Sequence, residues 1–176
     1  MSIIIRQEEP QDFEAVFGLI RQAFEGEEHS DHREQFLVER LHSDAFVPEL
    51  SLVAETGGTL AGHILLTKLK IVSDCAEEAG SLALAPVAVL PAYQGNGIGG
   101  RLIRAAHEKA REMGFGSVIL LGHPAFYPKF GYRPLKEFGI KLPFDVPDEC
   151  CMAIELTEGA LCNISGTVRY PDPFFE

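Results

Sequence analysis

Residues 84–121 constrain this chain most, because an apolar run, a glycine-rich turn and an amphipathic stretch follow one another without a break. Residues 84–90, LAPVAVL, have the length and composition of a strand. Pro91 ends it, and Gln94-Gly95-Asn96-Gly97-Ile98-Gly99-Gly100 leads into a helical pattern with Ile98, Leu102, Ile103, Ala106, Ala110 and Met113 on one face. Gly114 stops that helix as a C-cap, and residues 117–121, SVILL, read as a strand buried on both faces. A strand, a helix and a strand in this order give two parallel strands joined by a right-handed crossover. Four of the six residues 95–100 are glycine, so a ligand can approach the backbone closely. At a helix start those N–H groups lack partners and the macrodipole is positive, which makes a cradle for phosphate.

Two nucleotide patterns fail on this loop. Residues 95–100 satisfy G-x-G-x-x-G, but a dinucleotide turn follows its strand directly and is answered by an acid about 20 positions on. Here residues 91–94 intervene, and the next strand ends in Gly122-His123. No Lys-Ser or Lys-Thr follows the glycines, so the Walker pattern is absent as well.

Residues 89–99, VLPAYQGNGIG, resemble instead the acyl-CoA signature of the GNAT superfamily of N-acetyltransferases, Q/R-x-x-G-x-G/A, filled by Gln94, Gly97 and Gly99. A second landmark, Y-x-K-x-G-F/Y, is matched by Tyr127, Lys129, Gly131 and Tyr132, with Pro128 inside what is usually a short helix. The resemblance covers residues 3–132 well and the tail weakly, and the layout is similar to a subgroup with an extended C-terminus. It implies an α/β fold: a mixed, mostly antiparallel central sheet flanked by helices, with a parallel strand–helix–strand unit that binds acyl-CoA. It further implies that the loop, Gln94, Gly95, Asn96, Gly97, Ile98, Gly99 and Gly100 with Arg101, holds the diphosphate of acetyl-CoA. Val87, Ala88 and Val89 would pair with the pantetheine arm, and Phe126 and Lys129 would complete the groove. Acetyl-CoA is then a co-substrate, and no metal is required.

The same resemblance sets Tyr127 near the sulfur as general acid, and chemistry supplies a reason. A neutral amine attacking a thioester forms a tetrahedral oxyanion and expels a thiolate. A main-chain N–H near Val89 can polarise the carbonyl, and a phenol of pKa about 10 can protonate the sulfur. Some family members carry a glutamate on the central strand as base, but residues 84–90 hold no ionisable side chain. Glu25, Glu28, His32, His63 or a water chain remain. The missing glutamate also leaves a second reading, a non-catalytic acyl-CoA-binding or regulatory module, while a nucleotide-dependent oxidoreductase stands third. The acceptor carries no pattern: small amine, antibiotic, peptide N-terminus and protein lysine stay open.

With 176 residues, 46% hydrophobic and 23% charged, the chain suits one soluble domain. Residues 1–145 are expected to form the acyl-CoA-binding part, and residues 146–176 a strand and tail completing it. No apolar run approaches the ~20 residues that cross a bilayer, and the N-terminus lacks signal-peptide character. A cytoplasmic protein with no membrane partner is expected. A net charge of −11 argues against nucleic acid and suits a cationic acceptor. Against that background Arg101, Arg104, Lys109 and Arg111 make the helix after the glycines locally basic. Cys75, Cys150, Cys151 and Cys162 show no C-x-x-C spacing and read as free thiols.

Residues 3–6 read as a strand. Pro10 then opens a helix whose Phe13, Val16, Phe17, Ile20 and Phe24 form one apolar stripe for the core. Residues 25–31 are an acidic loop in which Glu25, Glu27, Glu28 and Asp31 meet an amine or face water. Asp31 and Glu34 suggest a capping box for a helix over 32–42, and His29 with His32 a surface pair without metal spacing. Residues 50–55 and 60–71 read as a hairpin about Gly57-Gly58, with His63 a satisfied core or edge histidine. Residues 73–80 are an excursion before the central strand. Residues 138–142 and 151–156 read as antiparallel strands, and 159–170 as one more strand or a wrapping tail. The terminal Phe174 and Phe175 dock over the core or on a second copy of the chain, making a homodimer.

Overall fold

The computed structural model describes residues 2–28 and 30–175. The expected surface pair of His29 with His32 lies outside them at His29. Along the chain run β1 (Ile4–Gln7), α1 (Phe13–Phe24), α2 (Glu34–Arg40), β2 (Ser51–Thr56), β3 (Thr59–Val72) and β4 (Glu78–Val89). Then come α3 (Ile98–Glu112), β5 (Ser117–Leu121), β6 (Arg133–Pro134), β7 (Ile140–Lys141), β8 (Cys151–Glu155) and β9 (Gly166–Arg169). All these strands share one sheet, ordered β1-β2-β3-β4-β5-β8-β6, with β9 bonded to the far half of β3 and to β7. Pairing is antiparallel except at β4–β5 and β7–β9. This is the mixed, mostly antiparallel sheet with a parallel strand–helix–strand unit that the resemblance implies. Among the described residues no helix is long and apolar enough to cross a membrane.

Local sequence accounts for the joints. Gly57 and Gly58, at φ +57° and +81°, supply the two left-handed residues of a tight hairpin between β2 and β3. α3 lies against one sheet face through Ile98, Leu102, Ile103 and Ala106, none more than 1% exposed. Full burial of each larger side chain contributes about 1.5–3 kcal/mol. Gly62 on β3 permits that approach, since a Cβ there would stand 2.9 Å from both Ile98 and Leu102. α1 and α2 cover the other face, packing Val16, Ile20, Val38 and Leu41 on Val53, Leu65 and Ala88.

Several expectations are corrected. The buried row of α1 is Val16, Leu19, Ile20 and Ala23, while Phe13 is 42% exposed and Phe17 and Phe24 are half-buried. The stripe was found, but the phenylalanines stand at its edge and their rings line clefts. α2 starts at Glu34 because His32, at φ +60°, cannot continue a helix. No capping box forms: the Asp31 carboxylate accepts from Arg33 N–H at 2.9 Å, and Glu34 accepts from the Ser30 hydroxyl. β4 begins at Glu78, inside the expected excursion. Met113, just past the end of α3, is 40% exposed, and within the helix His107 takes a buried place.

Candidate active site

β4 and β5 share only two register pairs, Leu82 with Val118 and Ala83 with Ile119. Beyond Ala83 they part, and β4 runs on to Val89 against β3 alone. The β3–β4 register steps between Ile64 and Leu66, so Ala85 and Pro86 oppose one residue in a bulge. Leu90 N–H donates to Ala61 O at 2.8 Å. By strand alternation the main chain of Ala88 also faces β3, and that of Val87 and Val89 faces the gap left by β5. Gln94 Nε2 donates to Val89 O at 3.2 Å and ties the loop to the strand. The N–H groups of Val87 and Val89 and the carbonyl of Val87 are left for a ligand.

At the end of the gap stands the glycine loop. Gly95 and Gly97 have φ of +82° and +77°, which L side chains rarely adopt. Asn96 folds its amide back onto Tyr93 O at 3.0 Å. The first N–H of this stretch taken up by the helix is that of Arg101, which donates to Gly97 O at 3.1 Å. Among the described residues, the N–H groups of residues 95–100 meet no protein acceptor. They gather at the positive end of α3. A cleft of about 720 Å³ opens above them, with Val87 and Val89 on one side and Arg104 and Lys129 at its rim. Arg104 lies 4.9 Å over the Phe130 ring and Lys129 Nζ 4.3 Å over the Phe126 ring, which holds both cations there.

The residues singled out by sequence for this groove therefore divide. Val87, Val89, Gln94, Gly95, Gly97, Gly99 and Gly100 line it, as do Phe126 and Lys129. Asn96 braces the loop's bend. Ile98 is at the cleft but buries its side chain among the α3 core, and Ala88 packs toward α1 and α2. Arg101 turns away and donates to Ile3 O at 3.1 Å. Arg104, one turn further along the locally basic α3, stands in the cleft instead, beside Tyr93 and Phe130.

A second cleft, of about 560 Å³, shares Glu27, Val87 and Phe126 with the first, so one groove runs from the bare amides to Tyr127. Tyr127 opens a short 3₁₀ turn, Tyr127–Phe130, with Pro128 just inside its start and Gly131 at φ +104° after it. Its ring stands edge-on to Phe126 and Tyr132, with centroids 5.0 and 5.7 Å away. Burial pushes its pKa up to about 12. Tyr132 is braced in turn by His107, whose Nε2 is 2.7 Å from the Tyr132 hydroxyl. Burial, and secondarily the charge of Arg111, lower the His107 pKa to about 4, so its ring is neutral.

The bases named from sequence are not gathered here. Glu25, Glu28 and His32 are exposed and line neither cleft. His63 is fully buried with Nε2 2.8 Å from Glu8, under α1 and α2. The acids that do line the second cleft are Glu27 and Glu34. The four cysteines are free thiols, and none lines either cleft.

Comparison with known proteins agrees with this geometry. The acetyltransferase (GNAT) family model matches residues 13–132. YjhQ, an uncharacterized N-acetyltransferase of Escherichia coli strain K12, is 38% identical over 137 residues, 76% of this chain and 75% of that protein. YhbS, another from the same strain, is 27% identical over 173 residues, 98% of each. The crystal structure of E. coli YhbS in complex with CoA matches with a TM-score of 0.88 at 26% identity, covering 99% of this chain and 92% of that one. A GNAT family acetyltransferase from Brucella melitensis in complex with acetyl-CoA matches with a TM-score of 0.80 at 30% identity, covering 98% of both chains. With the split at β4–β5 and the glycine loop heading α3, these matches show that the chain belongs to the GNAT family of acetyltransferases.

Proposed function

We propose that this protein moves an acetyl group from acetyl-CoA to a primary amine by direct attack on the thioester. The observation that carries the reading is the continuous groove: unpartnered amides of residues 95–100 at one end, the exposed edge of β4 along it, and Tyr127 at the other. The amides and the cations of Arg104 and Lys129 suit a diphosphate. The free N–H groups of Val87 and Val89 and the Val87 carbonyl suit an arm that itself carries amides, as a further strand would. The relatives bound to CoA and acetyl-CoA support the same ligand. Tyr127 stays protonated at neutral pH and holds a proton for the departing thiolate.

Direct transfer is favoured over an acyl-enzyme because no cysteine lines the groove. The free thiols also suit a reducing compartment, the cytoplasm. Phe144 and Phe175, 38% and 59% exposed with rings 6.1 Å apart, form the patch through which two copies would pair, a state that light scattering reads. For the chemistry the test is Tyr127→Phe. Acetyl-CoA affinity by calorimetry should hold while kcat falls about 10²–10⁴-fold. Unaltered turnover removes Tyr127 as the acid, and a wild-type protein that binds acetyl-CoA yet acetylates nothing is the non-catalytic module.

A further inference from the structure

The chemistry lining the second cleft selects among amines, and the inference rests on the acetyl-transfer reading. Its walls are rings: Phe24 at the end of α1, Phe126 beside Tyr127, and Phe144, Tyr170 and Phe174 from the C-terminal part of the chain. The last three stack in series, Phe144 to Tyr170 at 5.4 Å and Tyr170 to Phe174 at 4.7 Å. The acidic groups are the carboxylates of Glu27 and Glu34; the exposed ring of His123 also lines the cleft, and among the described residues no Lys or Arg does. At the start of α2, Glu34 receives the Ser30 hydroxyl on one oxygen. The other, Oε2, is buried and has no donor. A buried carboxylate oxygen without a donor is unfavourable until something supplies one. An ammonium group in the cleft does so when the Glu34 carboxylate, which also borders a small neighbouring cleft with Arg33 and Arg40, turns toward it. Aromatic walls favour both the ammonium charge and an apolar body behind it. A substrate with its own carboxylate would set that charge against Glu27 and Glu34, with no Lys or Arg among the described residues of this cleft to receive it.

We infer that the acceptor is a primary amine on an aromatic or apolar body with no acidic group, of the kind represented by 2-phenylethylamine, and that Glu34 is the residue that binds and deprotonates it. Glu34 takes one proton from the ammonium and passes it to solvent. The freed nitrogen pair forms the C–N bond at the thioester carbon, and the C–S bond breaks. Tyr127 gives its proton to the sulfur and regains one from the nitrogen as the amide forms. The balance is ammonium plus acetyl thioester giving amide, free thiol and one proton.

The test is a steady-state panel on the full chain with acetyl-CoA and four amines: 2-phenylethylamine, phenylalanine, spermidine and methylamine. The expected kcat/KM for 2-phenylethylamine exceeds that for phenylalanine about a hundredfold. Glu34→Gln should lower kcat/KM for 2-phenylethylamine about a hundredfold and leave acetyl-CoA affinity unchanged. Should Glu34→Gln not fold, Phe174→Leu takes its place, raising KM for 2-phenylethylamine about tenfold and not for methylamine. Phenylalanine or spermidine used as well as 2-phenylethylamine overturns the inference, as does binding of acetyl-CoA with no 2-phenylethylamine acetylated. Failure to bind acetyl-CoA at all overturns the acetyl-transfer reading beneath it.

Discussion

Tyr127 occupies its place because a neighbour has no side chain. A Cβ on Gly122 would stand 2.5 Å from Tyr127 Cε2 and 3.2 Å from Leu120 Cδ1, closer than carbon atoms approach without something moving. The Tyr127 ring is the piece that can yield, since its far side looks into the cleft while Tyr132 is pinned by His107. Gly122→Ala therefore pushes the phenol off its position without touching the glycine loop. The expected result is a kcat lowered about tenfold or more, from displacing the acid proposed above. Stability should fall by about 1–3 kcal/mol from overpacking, with acetyl-CoA affinity nearly unchanged. Kinetics, thermal melting and calorimetry on one preparation read all three, and full kcat in Gly122→Ala would mean that the position of the phenol does not matter.

At the scale of elements, α1 and α2 are held to the sheet by a buried polar cluster as well as by apolar packing. Glu8 follows β1 and is 6% exposed. Its Oε2 accepts from the Ser51 hydroxyl at 2.5 Å and from His63 Nε2 at 2.8 Å, and its Oε1 faces His42 Nε2 at 3.4 Å. His42 Nδ1–H donates to Val38 O at 2.7 Å, so a charged ring satisfies both contacts. Burial by itself would lower the His42 pKa, but the Glu8 carboxylate outweighs it and the value stands above 6.5. Burial likewise disfavours ionised Glu8, yet His42 and His63 hold it well below the usual carboxylate range. The raised histidine stabilises the fold fully below about 6.5 and loses that contribution as pH rises through its folded value. The lowered glutamate contributes above about 4.5 and loses its contribution as pH falls. The pair is thus strongest between those limits. The melting temperature of wild type minus that of His42→Gln should be largest near pH 6 and shrink toward pH 9; a difference flat across that range rules the ion pair out.

None of that cluster was legible beforehand. Glu8 and His63 lie 55 positions apart, and His63 alone reads only as a core or edge histidine. Periodicity placed α3, β5 and the β2–β3 hairpin closely because each is a local pattern. It misjudged Phe13 for a related reason: spacing marks a helix face but not how that face is rotated onto the sheet. The glycine loop was legible because the chemistry sits in consecutive residues. Sequence marked Arg104 only as one of four cations on a locally basic helix and Glu34 only as a capping residue, since the clefts that hold them join residues as distant as Glu27, Val87, Tyr127 and Phe174.

Across the whole molecule the sheet is a pair of partial sheets joined weakly at the centre. β1 to β4 form one part and β5, β8 and β6 the other, and the ladder between them has two register pairs. α3 spans the division from behind, with Leu102 and Ile103 in one cluster with Leu82, Leu84, Val118 and Leu120. The apolar layer is continuous where the hydrogen-bond ladder is not, so a ligand can occupy the gap without unfolding either part. A ligand whose amides meet Val87 and Val89 and whose phosphates meet residues 95–100 completes the ladder at its open point. Free acetyl-CoA at about 100 times its Kd should then add about 2.7 kcal/mol of stability, a rise in Tm of roughly 5–10 °C for a chain of this size. Hydrogen exchange locates the effect. Slowing is expected at the amides of residues 87, 89 and 95–100, which lack protein acceptors without ligand, and little change in β2 or β8, whose ladders are already complete. Protection that appeared instead around α1 and α2, or evenly over all strands, would mean that acetyl-CoA does not bridge the division and that the open edge of β4 has some other use.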